Sequence, residues 1–259
     1  MPDDLDDAYA NAAYIPGGEA YPDRWLKEAG AFRDGARMEF DLRYGEGPRQ
    51  RIDIFHPDRL PRGTVVFVHG GYWLKFGKRW FSHFAEGALA EGWSVAMPSY
   101  VLAPRLTIPD ITRQIVEAVN VVATRLPGPI RLVGHSAGGH LVARMCDPSL
   151  LRPWAERVEK VVPISPVADL APLMRTSMNA DLGITEEVAQ AESPVHQPAP
   201  KLPVHVWVGA EERPAFLDQA RALAGAWDCP LTEEPGKHHF DVIDGLRQPG
   251  SPLMQALLG

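Results

Sequence analysis

The chain has 259 residues, of which 45% are hydrophobic and 23% charged, with a formal net charge of −7; that balance suits one large mixed domain with an ample core. The acidic surplus and the lack of any basic stripe exclude nucleic acid as an expected partner. No run approaches the ~20 apolar residues of a membrane helix, and the acidic start MPDDLDDAYA lacks the apolar run of a secretory signal, so no membrane partner and a cytoplasmic location are expected.

The first thirty-five or so residues have weak patterning and read as a helical arm packed on the domain. ARMEFDL (36–42) and RQRIDIFHP (49–57) alternate polar and apolar residues around the turn-like RYGEGP, which predicts an antiparallel pair with one wet face. GTVVFVH (63–69) and WSVAMP (93–98) are denser apolar runs, as expected of strands covered on both sides. RWFSHFAEGALAEG (79–92), between them, carries apolar residues at helical spacing, as does DITRQIVEAVNVVATRL (110–126). PIRLVG (129–134) is the next strand, followed by a helical run that includes Cys146. VEKVVPIS (158–165) and LPVHVWVG (202–209) are further strands, separated by a long, proline-dotted segment, 169–200, that reads as a lid or pocket wall. RPAFLDQARALAGAW (213–227) is a helix with Pro214 in its first turn, and PLTEEP holds the last strand. Cys229 opens that strand; it and Cys146 lack metal-ligand spacing and read as reduced core thiols. The alternation predicts one α/β domain over 1–259: a mostly parallel, doubly wound sheet of about eight strands with helices on both faces.

The chemistry concentrates at strand ends. LVGHSAGGH (132–140) follows a buried strand and opens a helix, and Gly134-His135-Ser136-Ala137-Gly138 has the form G-x-S-x-G. A serine in a sharp strand-to-helix turn needs small neighbours, and the helix N-terminus favours the negative charge that develops there. A serine attacking a carbonyl creates an oxyanion, which requires preorganised N–H donors. VFVHGGYW (66–73) supplies bare backbone after a strand, so the amides of Gly71 and Tyr72 are predicted to join that of Ala137 as an oxyanion hole. His69 is expected to orient this loop by bonding to backbone. Tyr72 and Trp73 are expected to face the substrate. Gly70, His135 and Tyr100 complete the predicted pocket.

The serine needs a base and the base a carboxylate, in the chain order serine, acid, histidine. Among nine histidines, only those of GKHHFDV (236–242) follow the last strand within a loop, and His239 is favoured over His238. Glu212 lies three residues past the strand-ending glycine of VHVWVG; Glu211 and Asp169 are the alternatives.

Together these stretches resemble the kynurenine formamidase (arylformamidase) branch of the α/β-hydrolases, close to the hormone-sensitive-lipase-like esterases. HGGYW fits H-G-G-x-W, and SYVLAP (99–104), GHSAGGHL, ISPVADLAPL (164–173), ERPAFLDQ (212–219), HHFDVI (238–243) and RYGEGPRQRIDIFHP (43–57) match further segments. The resemblance supports Glu212 and His239 and implies an α/β-hydrolase fold that cleaves N-formyl-kynurenine to kynurenine and formate. Two departures stand out: glutamate where the family usually has aspartate, and Pro166 where it usually has glycine. No cofactor or metal is implied: neither G-x-G-x-x-G nor a P-loop lysine is present, and His135, His140, His238 and His239 do not form a ligand pattern. The rival expectations are a carboxylesterase or thioesterase acting on small esters, and a non-catalytic binding protein on the same fold. The sequence leaves the oligomeric state open, a homodimer included.

Overall fold

The computed structural model describes residues 5–150 and 152–259, so residues 1–4 of the arm lie outside the described residues. The strands are β1 (Met38–Arg43), β2 (Arg51–Phe55), β3 (Thr64–Val68), β4 (Ser94–Pro98), β5 (Ile130–His135), β6 (Val158–Ile164), β7 (Val206–Gly209) and β8 (Leu231–Glu234). They form one sheet in the order β1-β2-β4-β3-β5-β6-β7-β8. β2 runs antiparallel to β1 and β4, and every other pairing is parallel. The predicted antiparallel pair stands at one edge of the sheet, but only β1 is wet: Ile52, Asp53, Ile54 and Phe55 of β2 are buried on both faces, and the dense apolar runs form the centre.

Alternate residues of each central strand feed two cores. In β3, Val66 and Val68 join Ile52, Ile54 and Leu132 on one face, under the helices Ile108–Arg125, Ala137–Arg144 and Pro214–Trp227. Val65 and Phe67 join Phe55, Met97 and Trp207 on the other, under the arm helix Tyr21–Gly35 and the C-terminal helix Pro252–Leu258. The helix Ile108–Arg125 starts with a capping box, Thr107 and Asp110 reciprocally bonded, and its proline stands in the first turn.

Two predicted elements differ. The helix expected over 79–92 is split into short 3₁₀ turns, Lys78–Trp80 and Ser82–Ala85, before the helix Glu86–Ala90. Phe81 and Phe84 are both buried there, with Phe81 packed against Trp25, Phe67 and His69. The strand expected over 202–209 is continuous only from Val206, and ahead of it Val204 makes an isolated bridge to Val161; the next residue of β6 that would donate to the ladder is Pro163, which has no N–H.

The parallel strands end together at one edge of the sheet, where β3, β5, β6 and β7 deliver the loops that carry His69, Ser136, Ser165 and Glu212. No helix among the described residues is long and apolar enough to cross a membrane.

Candidate active site

Ser136 sits between β5 and the helix Ala137–Arg144 with φ 57° and ψ −119°, a conformation that side chains rarely adopt. The turn closes only because its neighbours are glycines. A Cβ on Gly134 would stand 2.1 Å from the carbonyl oxygen of Gly138, and one on Gly138 would stand 2.0 Å from that of Val68. The strain is held by backbone: the Ser136 amide donates to the carbonyl of Ile164 at 2.8 Å, and the His140 amide to the carbonyl of Ser136 at 3.0 Å.

The double glycine after β3 has a similar origin. A Cβ on Gly70 would lie 2.7 Å from the His135 carbonyl oxygen and 2.9 Å from the Cβ of Ser136, so only glycine lets this loop lie against the elbow. Gly71 follows at φ 108°. The amides of Gly71, Tyr72 and Ala137 have no acceptor among the described residues. Three such donors beside a serine can stabilise an oxyanion.

His69 serves this loop structurally. It is buried and stacked between the rings of Tyr100, 4.3 Å away, and Phe81, 5.8 Å away, and its Nδ1–H donates to the Gly70 carbonyl at 2.8 Å. Burial lowers its pKa to about 3, so the ring stays neutral. The Tyr100 hydroxyl donates to the His69 carbonyl at 3.0 Å.

The histidine and the acid form a buried pair. His239 Nδ1–H donates to Glu212 Oε2 at 2.5 Å, which leaves Nε2 as the nitrogen free to exchange a proton. Glu212 Oε1 accepts from the Gly209 amide at 2.9 Å and from the Ser165 hydroxyl at 2.5 Å. The carboxylate is thus held at both ends, as a charged group in a dry site must be. The His239 ring packs on Phe216 at 4.2 Å, and its carbonyl accepts from His135 Nε2–H at 2.8 Å. Burial pushes the His135 pKa well below its usual value.

The alternatives to these residues are otherwise engaged. Glu211 is exposed. Asp169 Oδ1 accepts from the Ala171 amide at 2.9 Å, two residues along. His238 faces away from Glu212: its Nδ1 accepts from the Phe240 amide at 3.1 Å, and its Nε2 meets the Tyr21 hydroxyl at 3.1 Å.

Ser136 and His239 open onto a cavity of about 540 Å³, a size ordinary for small-molecule sites. Of the predicted pocket residues, Gly70, Gly71, Tyr72 and His135 line it. His69, Tyr100 and Trp73 do not; all three are buried in the core. Trp73 is the largest correction. Tyr72 (φ 52°) and Trp73 (φ 57°) are consecutive left-handed residues, and that turn sends the Trp73 ring inward to meet the edge of His140 at 5.1 Å. The aromatic wall comes from elsewhere: Trp25 of the arm helix packs at 6.3, 5.3 and 5.5 Å on Phe76, Phe81 and Phe240, and all four line the cavity.

The covering of the site is a second correction. The segment 169–200 contributes only Ser177 and Met178 to the cavity, whereas the arm contributes Asp6, Tyr9, Asn11, Glu19 and Trp25 among others. The segment instead packs on the sheet-covering helices, with Glu192 buried and bonded to Thr112 at 2.8 Å and to Arg144 at 3.1 Å. The arm is pinned by Tyr72 Oη donating to the Tyr9 carbonyl at 2.7 Å, Gln219 Nε2 donating to Tyr9 Oη at 2.8 Å, and an ion pair between Arg213 and Asp7 at 2.6 Å. The tyrosine-rich run YANAAYIPGGEAYPDRW (9–25) was the available signal for this role.

A family model described as the alpha/beta hydrolase fold matches residues 65–195. The chain belongs to that family. This hydrolase is 28% identical over 247 residues to the kynurenine formamidase of Salmo salar, covering 86% of this chain and 82% of that one. With the kynurenine formamidase of Drosophila melanogaster it shares 29% identity over 230 residues, 78% of this chain and 75% of the other. A solved structure of a thioesterase candidate from Silicibacter sp. TM1040 superposes with a TM-score of 0.97 at 51% identity, covering 99% of this hydrolase and 100% of that chain.

Proposed function

We propose that this hydrolase cleaves a small acyl group through an acyl-enzyme, with Ser136 as nucleophile, His239 as general base and acid, and Glu212 as the orienting carboxylate. The observation that carries the reading is the Glu212–His239 pair, bonded at 2.5 Å, with His239 opening onto the cavity that also holds Ser136 in its strained elbow. His239 Nε2 takes the Ser136 proton as Oγ attacks the carbonyl carbon. The oxyanion is met by the amides of Gly71, Tyr72 and Ala137. Collapse breaks the bond to the leaving group, which receives that proton from His239. Water then attacks the acyl-serine, with the same histidine as base, and releases the acid.

The substrate we propose is an aryl formamide, N-formyl-kynurenine, with kynurenine and formate as products. The kynurenine formamidases to which the chain is similar over about four-fifths of its length support it. So does the wall of Trp25, Phe76, Phe81 and Phe240, an apolar aromatic surface suited to an aromatic leaving group. A second reading, hydrolysis of small esters or thioesters, draws on the 51% identity to the thioesterase candidate. The two free thiols, Cys146 and Cys229, accord with a reducing compartment, and a cytoplasmic location is part of the proposal.

The test is a side-by-side rate measurement on purified protein. The formamidase reading expects kcat/KM for N-formyl-kynurenine to exceed that for p-nitrophenyl acetate, and to collapse as an ester's acyl chain grows to butyrate. Failure to release kynurenine, together with brisk hydrolysis of butyryl esters or thioesters, would leave the second reading standing. Ser136→Ala should abolish labelling by a fluorophosphonate and leave at most a residual ~10³–10⁴-fold acceleration over water.

A further inference from the structure

The arm that covers the cavity carries a polar group with no structural task. Asn11 is the N-cap residue of the 3₁₀ turn Ala12–Tyr14, a place where an asparagine side chain ordinarily accepts a backbone N–H, yet it makes no capping bond. The residue is 8% exposed, lines the cavity beside Ser136 and His239, and its Oδ1 is buried without a hydrogen-bond partner. A buried carboxamide left unpaired costs stability and calls for an explanation, and a bound ligand supplies one.

Three charged residues also line the cavity. Asp6 and Glu19 come from the arm and Lys75 from the loop that carries the oxyanion amides. Asp6 Oδ1 accepts from the Ser177 amide at 2.7 Å; Glu19 and Lys75 are exposed, and neither is ion-paired among the described residues. The rest of the lining is largely aromatic and aliphatic, with Tyr9, Leu74, Met178 and Phe240 as examples.

We infer that Asn11 is a substrate-binding residue that hydrogen-bonds the polar end of the leaving group, an aryl compound bearing an amino-acid side chain. The inference rests on the formamidase reading, because a formyl group is too small to reach beyond Ser136, so whatever meets the arm belongs to the leaving group. The aryl ring lies on the aromatic wall, and the zwitterionic tail extends toward Asn11 and the mixed charges of Glu19 and Lys75.

Matched pairs of substrates test it: N-formyl-kynurenine against formanilide, and O-acetyl-tyrosine against phenyl acetate. Each pair shares its scissile bond and differs in the amino-acid tail. Asn11→Leu, close in size but without the carboxamide, should lower kcat/KM for the tailed member about tenfold or more, chiefly through KM, and leave the bare member within twofold. Asn11→Ser serves as the second variant should the leucine protein fold poorly. An equal loss on both members marks a structural role and overturns the inference, as does no loss on either. Wild-type protein that cleaves the esters but neither formamide refutes the formamidase reading alone, and the ester pair still judges Asn11. Wild-type protein that cleaves none of the four refutes both.

Discussion

Ser165 offers a measurable test of how the acid is held. Its hydroxyl donates to Glu212 Oε1 at 2.5 Å from a fully buried position, and its backbone is left-handed at φ 47°. Ser165→Ala removes one of three hydrogen bonds on the carboxylate and keeps those from Gly209 and His239. A buried hydrogen bond to a charged group contributes about 1.5–3 kcal/mol. Only the part that stabilises the imidazolium formed in the transition state reaches the barrier, so we expect about 1–2 kcal/mol there, a fall of ~5- to 30-fold in kcat. KM should hardly move, because Ser165 does not line the cavity. Ser165→Gly loses the same bond but relieves a backbone strain of about 1 kcal/mol or more, so its activity should match the alanine variant while its unfolding midpoint is higher. The assay is steady-state kinetics on one well-cleaved ester, paired with urea unfolding. An alanine variant with kcat within twofold of wild type, or a loss carried by KM, would refute the claim that this hydroxyl positions Glu212.

The remaining expectations concern the acid, the glycine loop and acid stability. Glu212→Gln should cost on the order of 10²–10⁴ in kcat, with Glu211→Gln and Asp169→Asn each near wild type; the reverse ranking defeats the assignment of the acid. Gly70→Ala puts a Cβ 2.9 Å from that of Ser136 and 2.7 Å from a backbone oxygen, so the oxyanion loop must lift from the elbow; we expect a loss on the order of 10²-fold in kcat from a folded protein, checked by kinetics and circular dichroism. His83 is buried against Phe84, and both its ring nitrogens lack hydrogen-bond partners. Glu28, 3.7 Å away, favours the charged ring but is already bound by Arg247 at 2.6 Å, and burial wins, lowering the His83 pKa to about 3. Between that value and the ordinary 6.5 the unfolded chain takes up a proton that the folded one refuses, so stability falls as pH drops through this window by about 1.4 kcal/mol per pH unit for this residue. His83→Phe should flatten the pH dependence of urea unfolding between pH 6.5 and 4.5 by about one proton, and an unchanged slope would contradict the account.

What the sequence determined by itself is whatever local spacing enforces. A strand, a serine between small residues and a helix must make an elbow, because Gly134 and Gly138 permit a backbone approach that no other residue allows. Period-two patterning located the antiparallel pair at the edge of the sheet, though only its outer strand is wet, and helical spacing placed Pro214–Trp227 within one residue of its observed bounds. Trp73 shows where that logic stops. Its neighbour Tyr72 lines the cavity, but two successive left-handed residues turn Trp73 into the core, and no periodicity encodes such a turn. The acid's setting was equally hidden: Ser165 and Glu212 are 47 residues apart and meet only because β6 and β7 are neighbours in the sheet. The arm is the largest such case. Residues 5–25 have too little regular patterning to reveal what they cover, and their place over Ser136 depends on Tyr72, Ser177, Arg213 and Gln219, drawn from three stretches far apart in the sequence. Local geometry is written in neighbouring residues, whereas the wall of this site is set by which distant surfaces have apolar area and hydrogen bonds left to share.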